Sequence, residues 1–262
     1  MPRDVVGARN PLLKSIRRAA LKGALTEDGL CVAESFHLLD EALRSELHVP
    51  VILAAESVRP TVEGRVSRLQ GVRILTLADN LFQEVATTET SQGVLSLVKP
   101  PAWTVNELFR GNSLVLVLDG IQDPGNAGAI VRAAEAFGAT GVLAVKGTVS
   151  LYNPKALRAS AGSFFRLPAV QGMDAELARA TLQQRKVDTY AAVPTGGRAI
   201  HFADLTRRAA LIIGSEGHGV RDTLRTAATD LHIPTTGVES LNAAMAAGIM
   251  LYEARRQRSL HA

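Results

Sequence analysis

Apolar residues recur along this chain with two alternating periods. In the N-terminal third, Asn10 followed by Pro11 signals a helix cap and first turn, and Leu12, Leu13, Ile16, Ala19 and Ala20 continue it as one apolar stripe. Gly29–Ala33 is a short β-like run, and Phe36, Leu39, Leu43 and Leu47 return to helical spacing. Val51–Ala54, Val72–Leu77 and Val94–Val98 read as buried strands separated by polar segments of helix length. This is the pattern of a small α/β sheet. The segment Lys99–Ser113 carries a proline pair ahead of a new strong strand, which places a boundary there. The expected division is a domain over 1–100, a linker over 101–112 and a second domain over 113–262.

The second half alternates more strictly. Strands are expected at 114–118, 141–145, 187–192, 209–213 and 230–233. Helices are expected near 126–137, 153–161, 174–185, 220–227 and 240–257. Such a rhythm predicts a mostly parallel sheet covered on both faces. Ligands of such sheets bind in loops beyond the carboxyl ends of strands. The loops at 119–126, 214–219 and 234–240, all rich in Gly, Pro and small polar residues, are therefore the places to look for chemistry.

Composition narrows the classes. The 262 residues are 47% hydrophobic and 21% charged, enough apolar content for a real core and too much for disorder. No apolar stretch approaches the ~20 residues of a membrane span, and no apolar signal core follows the first residues, so a soluble, cytoplasmic protein is expected. Cys31 is the single cysteine, which removes an intrachain disulfide and a multi-cysteine zinc site, and the six histidines lack metal-site spacing. No metal is expected.

The formal net charge of +4 is small, and its distribution says more. Residues 1–110 carry 13 basic and 13 acidic side chains, so the whole excess lies beyond them. Within the neutral half, Arg3, Arg9, Lys14, Arg17, Arg18 and Lys22 stand against Asp4 alone. This basic arm suits a polyanion such as nucleic acid, or is the solvated face of a helix.

The three loops exclude several chemistries. The first, DGIQDPGNAGAIVR from Asp119, offers only GxxG, so the dinucleotide fingerprint is absent, and no Gly-Lys-Ser/Thr makes a phosphate loop. It does place Asn126 near a helix start and Arg132 two turns on. The second, GSEGHG from Gly214, permits close backbone approach to a ligand. Ile213 stands where a GxSxG nucleophile elbow would need glycine. The third leads from Ile233 through Glu239-Ser240-Leu241-Asn242 into a helix lined with alanines, with Asn242 expected inside the first turn.

Together, NAGAIVR at 126–132, LIIGSEGHG at 211–219 and IPTTGVESLNAAMAAGIMLYEA at 233–254 resemble the three motifs of the SpoU (TrmH-like) branch of the SPOUT RNA methyltransferases. LYNPKALRASAGSFFRLP at 151–168 is similar to that family's connection between motifs. The N-terminal third, with ARNPLLKSIRR, the Glu34 region and QGVLSLVKPP at 92–101, resembles its L30e-like substrate-binding extension, most closely in the ribosomal RNA members. Two positions depart: Thr235 stands where Met is usual, and Ser35 where the extension often has Gly.

The resemblance implies a SPOUT fold with a deep trefoil knot, a homodimer and S-adenosylmethionine bound largely by backbone, at Gly214, Ile233 and Leu241. It implies methyl transfer to a ribose 2′-hydroxyl of RNA, chiefly 23S ribosomal RNA, with Arg132 as the catalytic residue. Arg132 then either binds phosphate and stabilises the developing alkoxide, or removes the proton, a harder role for a guanidinium, which carries donors and no acceptor. Asn126 and Asn242 would orient the ribose or Arg132, Ser240 would hydrogen-bond within the site, and Glu216 would pair with Arg132 or fix the glycine-rich loop. Arg158 either contacts phosphate or is structural. The alternatives are a transfer RNA target, or an RNA-binding or ribosome-assembly protein without catalysis.

Overall fold

The computed structural model describes residues 4–5, 7 and 10–260. Arg3 and Arg9 of the basic arm lie outside them. The chain forms two compact units that do not follow chain order: Met1–Ala102 with Ser150–Arg166, and Trp103–Val149 with Leu167–Ala262. The expected second domain, 113–262, thus gives up an internal stretch to the first unit.

The first unit runs β1 (Asp4–Val5), α1 (Pro11–Lys22), β2 (Cys31–Glu34), α2 (Phe36–Arg44), β3 (Val51–Ala55), α3 (Arg59–Val66), β4 (Arg73–Leu77), α4 (Asp79–Gln83) and β5 (Val94–Val98). Its sheet has the order β1-β4-β3-β5-β2, with β5 antiparallel to both neighbours. Asn10 caps α1 by accepting from the Leu12 N–H at 2.9 Å, and Gly23 ends it with φ 58°. Leu13 and Ile16 from the predicted stripe pack with Leu53, Leu75, Phe82 and Leu95 in the core.

Glu34, at the end of β2, is buried, and a buried carboxylate needs donors. It accepts from the Thr87 N–H at 2.7 Å, from the Thr87 hydroxyl, from Thr88 Oγ1 at 2.8 Å and from Ser91 Oγ at 2.6 Å. One side chain therefore shapes the whole loop ahead of β5.

The second unit begins with α5 (Val105–Leu108), β6 (Leu114–Asp119), α6 (Pro124–Ala136) and β7 (Gly141–Val145). The chain then supplies α7 (Pro154–Ser160) to the first unit, where Arg158 Nη1 donates to Thr87 Oγ1 at 2.6 Å and Arg166 pairs with Glu41. Gly162 has φ 88°, and a Cβ there would sit 2.6 Å from Glu41 Cβ, so the backbone approaches α2 where only glycine fits. The chain resumes the second unit with β8 (Ala169–Met173), α8 (Ala175–Gln184), β9 (Asp188–Ala192), β10 (Arg198–Ala199), β11 (Ala209–Gly214), α9 (Asp222–Arg225), β12 (Thr229–His232) and α10 (Ala243–Ser259).

These strands form one seven-stranded parallel sheet, ordered β10-β12-β9-β11-β6-β7-β8. β6 and the first five residues of β11 are buried, as continuous apolar runs in a covered parallel sheet should be. Among the described residues no helix is long and apolar enough to cross a membrane, and no group of three His, Cys, Asp or Glu is placed to hold a metal ion.

β8 and β10 were not expected from the pattern. Both are edge strands: β8 is only partly buried and shifts register beside Ala144 and Val145, and β10 has two residues. The helix expected at 220–227 shrinks to the four residues of α9. The last helix starts at Ala243 rather than 240.

Ser35 occupies φ 139°, ψ 157°, a region that favours glycine, while its hydroxyl accepts from the Leu38 N–H at 3.1 Å. Strain there costs about 1–3 kcal/mol, whereas exchanging a Ser cap for Gly loses only a few tenths. Ser35→Gly should therefore stabilise the first unit by about 1 kcal/mol, a rise of about 2–4 °C in melting temperature by calorimetry. An unchanged or lower midpoint would count against strain at this position.

Candidate functional site

β6, β11 and β12 run parallel, so the three loops beyond their carboxyl ends leave the sheet on one edge. β6 closes on Asp119, a carboxylate that is 2% exposed at the end of an otherwise apolar strand. Arg221 meets it twice: its N–H donates to Oδ2 at 2.8 Å, and its Nε lies 2.6 Å from Oδ1. Arg221 Nη2 also donates to the Lys146 carbonyl at 3.0 Å. The ends of β6 and β7 are thus tied to the chain just after the glycine-rich loop.

That loop folds onto itself. The Gly219 N–H donates to the Ser215 carbonyl at 2.8 Å, and the His218 N–H to Ser215 Oγ at 3.2 Å. A Cβ on Gly214 would overlap the backbone of Gly219 and Val220. The glycine is required by close approach, because neighbouring backbone cannot yield as a flexible side chain can.

Glu216 leaves this loop toward the other two. Its Oε1 accepts from Asn126 Nδ2 at 2.7 Å and from Asn242 Nδ2 at 3.0 Å, and Asn242 Nδ2 lies 3.2 Å from Asn126 Oδ1. Asn126 is fixed locally, because Asp123 caps α6 by accepting from the Asn126 N–H at 2.8 Å, with Pro124 in the first turn. Asn242 is not inside a helical turn, as expected, but is the cap of α10. Its Oδ1 accepts from the N–H groups of Ala244 at 2.9 Å and Met245 at 3.3 Å. One amide holds the helix with its oxygen and the cluster with its nitrogen.

A cavity of about 380 Å³ lies beside this cluster. Gly214, Ile233, Ser240 and Leu241 line it together with residues 215–219. Ala192–Pro194, beyond β9, and Met250 also line it. Sequence reasoning missed these, because β9 carried no motif and Met250 sits among core residues of α10. It missed the Asp119–Arg221 pair as well, although one acid ending an apolar strand was the available signal. A second cavity, of about 590 Å³, shares residues 215–219 and includes Asn126 and Gln122.

Arg132 stands apart. It is exposed on α6, lines neither cavity, and enters no hydrogen bond or ion pair among the described residues. Glu216 is engaged by the two asparagines, so the expected Arg132–Glu216 pair is not made within one chain. Arg158 belongs to the first unit, against Thr87 and Glu34. Thr235 lines the first cavity, so its departure from the usual Met changes that wall.

The cavity's make-up fits the S-adenosylmethionine that the resemblance implies. Main-chain groups of a glycine-rich turn can serve polar edges, and Ile233, Leu241 and Met250 offer apolar surface for a ring. Gly214→Ala must open the turn at 215–219. It should weaken cofactor binding at least about tenfold by titration calorimetry, with little loss of helix or sheet signal. Unchanged affinity would place the cofactor elsewhere.

Residues 113–252 match the model of the SpoU rRNA methylase family, and residues 10–96 match that of the MRM3-like substrate binding domain. The chain is 31% identical over 256 residues to RlmP of Bacillus subtilis, a 23S rRNA (guanosine(2553)-2′-O)-methyltransferase, covering 97% of this chain and 99% of that protein. It is 34% identical to RlmB of Ralstonia nicotianae, a 23S rRNA (guanosine-2′-O-)-methyltransferase, over 75% of this chain and 82% of that one. Among solved structures, the SpoU methyltransferase AviRb of Streptomyces viridochromogenes in complex with the cofactor AdoMet superposes with a TM-score of 0.85. The identity is 26%, with 96% and 99% of the two chains covered. The AdoMet-bound rRNA methyltransferase of Sinorhizobium meliloti gives 0.81 at 26% identity, over 96% and 97%. The chain belongs to the SpoU rRNA methylase family.

Proposed function

We propose that this protein transfers a methyl group from S-adenosylmethionine to a ribose 2′-hydroxyl of 23S ribosomal RNA in the cytoplasm. The observation that carries the reading is the Asn126–Glu216–Asn242 cluster, assembled from three separate loops beside the glycine-lined cavity. The bound cofactor supplies an activated methyl. The chain has to position the hydroxyl in line with it and stabilise the charge left on oxygen.

Asn126 and Asn242 are preset for positioning, since each is held at a helix start and by Glu216. Glu216 is a fixed acceptor between two amides, which keeps the glycine-rich turn in place. Ser240 offers a hydroxyl at the cavity wall. Arg132 acts as a cation, binding the adjacent phosphate and stabilising the developing alkoxide, because a guanidinium gives up its proton only with difficulty. The domain over 10–96 supplies RNA binding, in keeping with the substrate-binding model that it matches.

The same reading includes a homodimer and the knotted chain path of the family. Support for the dimer comes from α10, where Met245, Ile249 and Tyr252 recur at helical spacing with 57%, 37% and 57% exposure. α10 packs along α6, and Tyr252 meets Phe137 edge-to-face at 5.8 Å. A second copy covering this stripe would also enclose Arg132, which one chain leaves exposed on α6.

Incubation with methyl-labelled S-adenosylmethionine and 23S RNA should transfer label to ribose. Arg132→Ala should lower the rate at least about a hundredfold while cofactor affinity stays the same; full activity would remove Arg132 from the chemistry. Label appearing on transfer RNA alone would favour the runner-up substrate, and absence of cofactor binding would favour a scaffold without catalysis. Tyr252→Arg should convert a dimer to a monomer in light-scattering chromatography. A wild-type monomer, or a variant that stays dimeric, would remove this face from the assembly.

A further inference from the structure

Methyl transfer to a hydroxyl releases a proton, and a ribose hydroxyl is a poor acid. Arg132 carries donors and no acceptor for that proton. The group that takes it must reach the hydroxyl while the hydroxyl lies against the methyl. It therefore belongs where the cofactor's space meets the acceptor's.

The second unit contains such a seam. The cavity of about 590 Å³ adjoins the one that fits S-adenosylmethionine, and it includes Asn126 of the positioning cluster. Ser215, Glu216, Gly217, His218, Gly219 and Ala243 line both cavities. Two of these carry side chains that ordinarily accept protons, Glu216 and His218. Glu216 Oε1 is held by the amides of Asn126 and Asn242, so its carboxylate is committed to joining the loops. The other charged groups around the turn are committed as well. Asp119 pairs with Arg221, Asp123 caps α6, and Arg225 on the first cavity pairs with Asp230. His218 is not. Its N–H donates to Ser215 Oγ at 3.2 Å, and the following N–H closes the turn on the Ser215 carbonyl at 2.8 Å. The main chain is thereby fixed, while the ring is exposed and enters no hydrogen bond or ion pair among the described residues. A neutral imidazole offers one unprotonated nitrogen, and it is the side chain best matched to moving a proton near pH 7.

We propose that His218 is the general base, its unprotonated ring nitrogen accepting the 2′-hydroxyl proton at the seam between the two cavities. This rests on the RNA-methylating function proposed above. The hydroxyl oxygen forms its bond to the methyl carbon, and the carbon–sulfur bond breaks with its electron pair on sulfur. The proton passes from oxygen to His218 and then to water. Arg132 keeps its cationic part, so stabilising the oxygen and removing its proton fall to different side chains.

The test uses the full chain and two independent readouts. His218→Gln keeps a hydrogen-bonding side chain but cannot take up a proton at neutral pH. It should slow methyl transfer to 23S RNA at least about a hundredfold, with affinities for S-adenosylmethionine and RNA unchanged. His218→Gly should be equally slow and should recover at least about tenfold when free imidazole is added, a rescue that a purely structural role would not give. The second readout needs no turnover: histidines are modified with diethyl pyrocarbonate and located by mass spectrometry. His218 should react in the free protein and be protected when S-adenosylhomocysteine and 23S RNA are bound together. His201, exposed and outside both cavities, should react in either state. His218→Gln at the wild-type rate, a slow His218→Gly that imidazole does not rescue, or an unprotected His218 in the complex would each overturn the assignment. Failure of the proposed function shows differently, as a wild-type protein that transfers no methyl to 23S RNA, and the base falls with it.

Discussion

A buried carboxylate at the end of a central strand sets the terms for the second unit. Asp119 cannot sit under the sheet edge unpaired, since an isolated buried charge costs several kcal/mol (about 3–5 when one partner of such a pair is removed). Arg221 answers with both its backbone N–H and its side chain, so the pairing fixes main-chain position as well as charge. The residues just before Arg221 are thereby drawn across the ends of β6 and β11. Within that short span the chain must double back, which is why Gly214 has no room for a side chain.

The Asn126–Glu216–Asn242 cluster follows from this closure. Once 215–219 is a tight turn, Glu216 has few directions available, and it meets amides delivered by the starts of α6 and α10. Both amides are tied to helix ends. Asn126 is placed through the cap of Asp123, and Asn242 is itself a cap. Helix starts expose N–H groups that need acceptors in any case, so the same bonds that terminate the helices also orient the site. Rigidity of this kind is what an in-line transfer to a weakly acidic hydroxyl demands.

How much of this was legible in the sequence depended on distance along the chain. The cap at Asn10-Pro11, the buried runs of β6 and β11, and the three loops beyond the strand ends could all be read, because each is a local signal. The start of α10 was misplaced by three residues, since ESLN offers several possible caps and only the contact with Glu216 selects Asn242. β8 and β10 escaped because edge strands need no continuous apolar run. The acid that ends β6 is a local signal, but its partner Arg221 lies about a hundred residues on, and no local pattern can name it. Ser35 was noticed as a departure from glycine, and its backbone angles give the departure a physical meaning.

Charge counting shows the same limit in another form. A formal excess of +4 counts every arginine alike, yet the folded chain uses them very differently. Arg258 is half-buried and donates to the carbonyls of Leu205 and Asn112 at 2.8 and 2.7 Å; burial pushes its pKa down. Arg221 is committed to Asp119, Arg166 to Glu41 and Arg225 to Asp230. These cations do internal structural work and contribute little to any field an approaching polyanion would feel. Arg158 is half-buried, 3.7 Å from the Glu34 carboxylate and bonded to Thr87, whereas Arg132 on α6 is exposed and enters no hydrogen bond or ion pair among the described residues. For a protein of nearly balanced composition, the net total therefore says little about the charge that the folded surface presents.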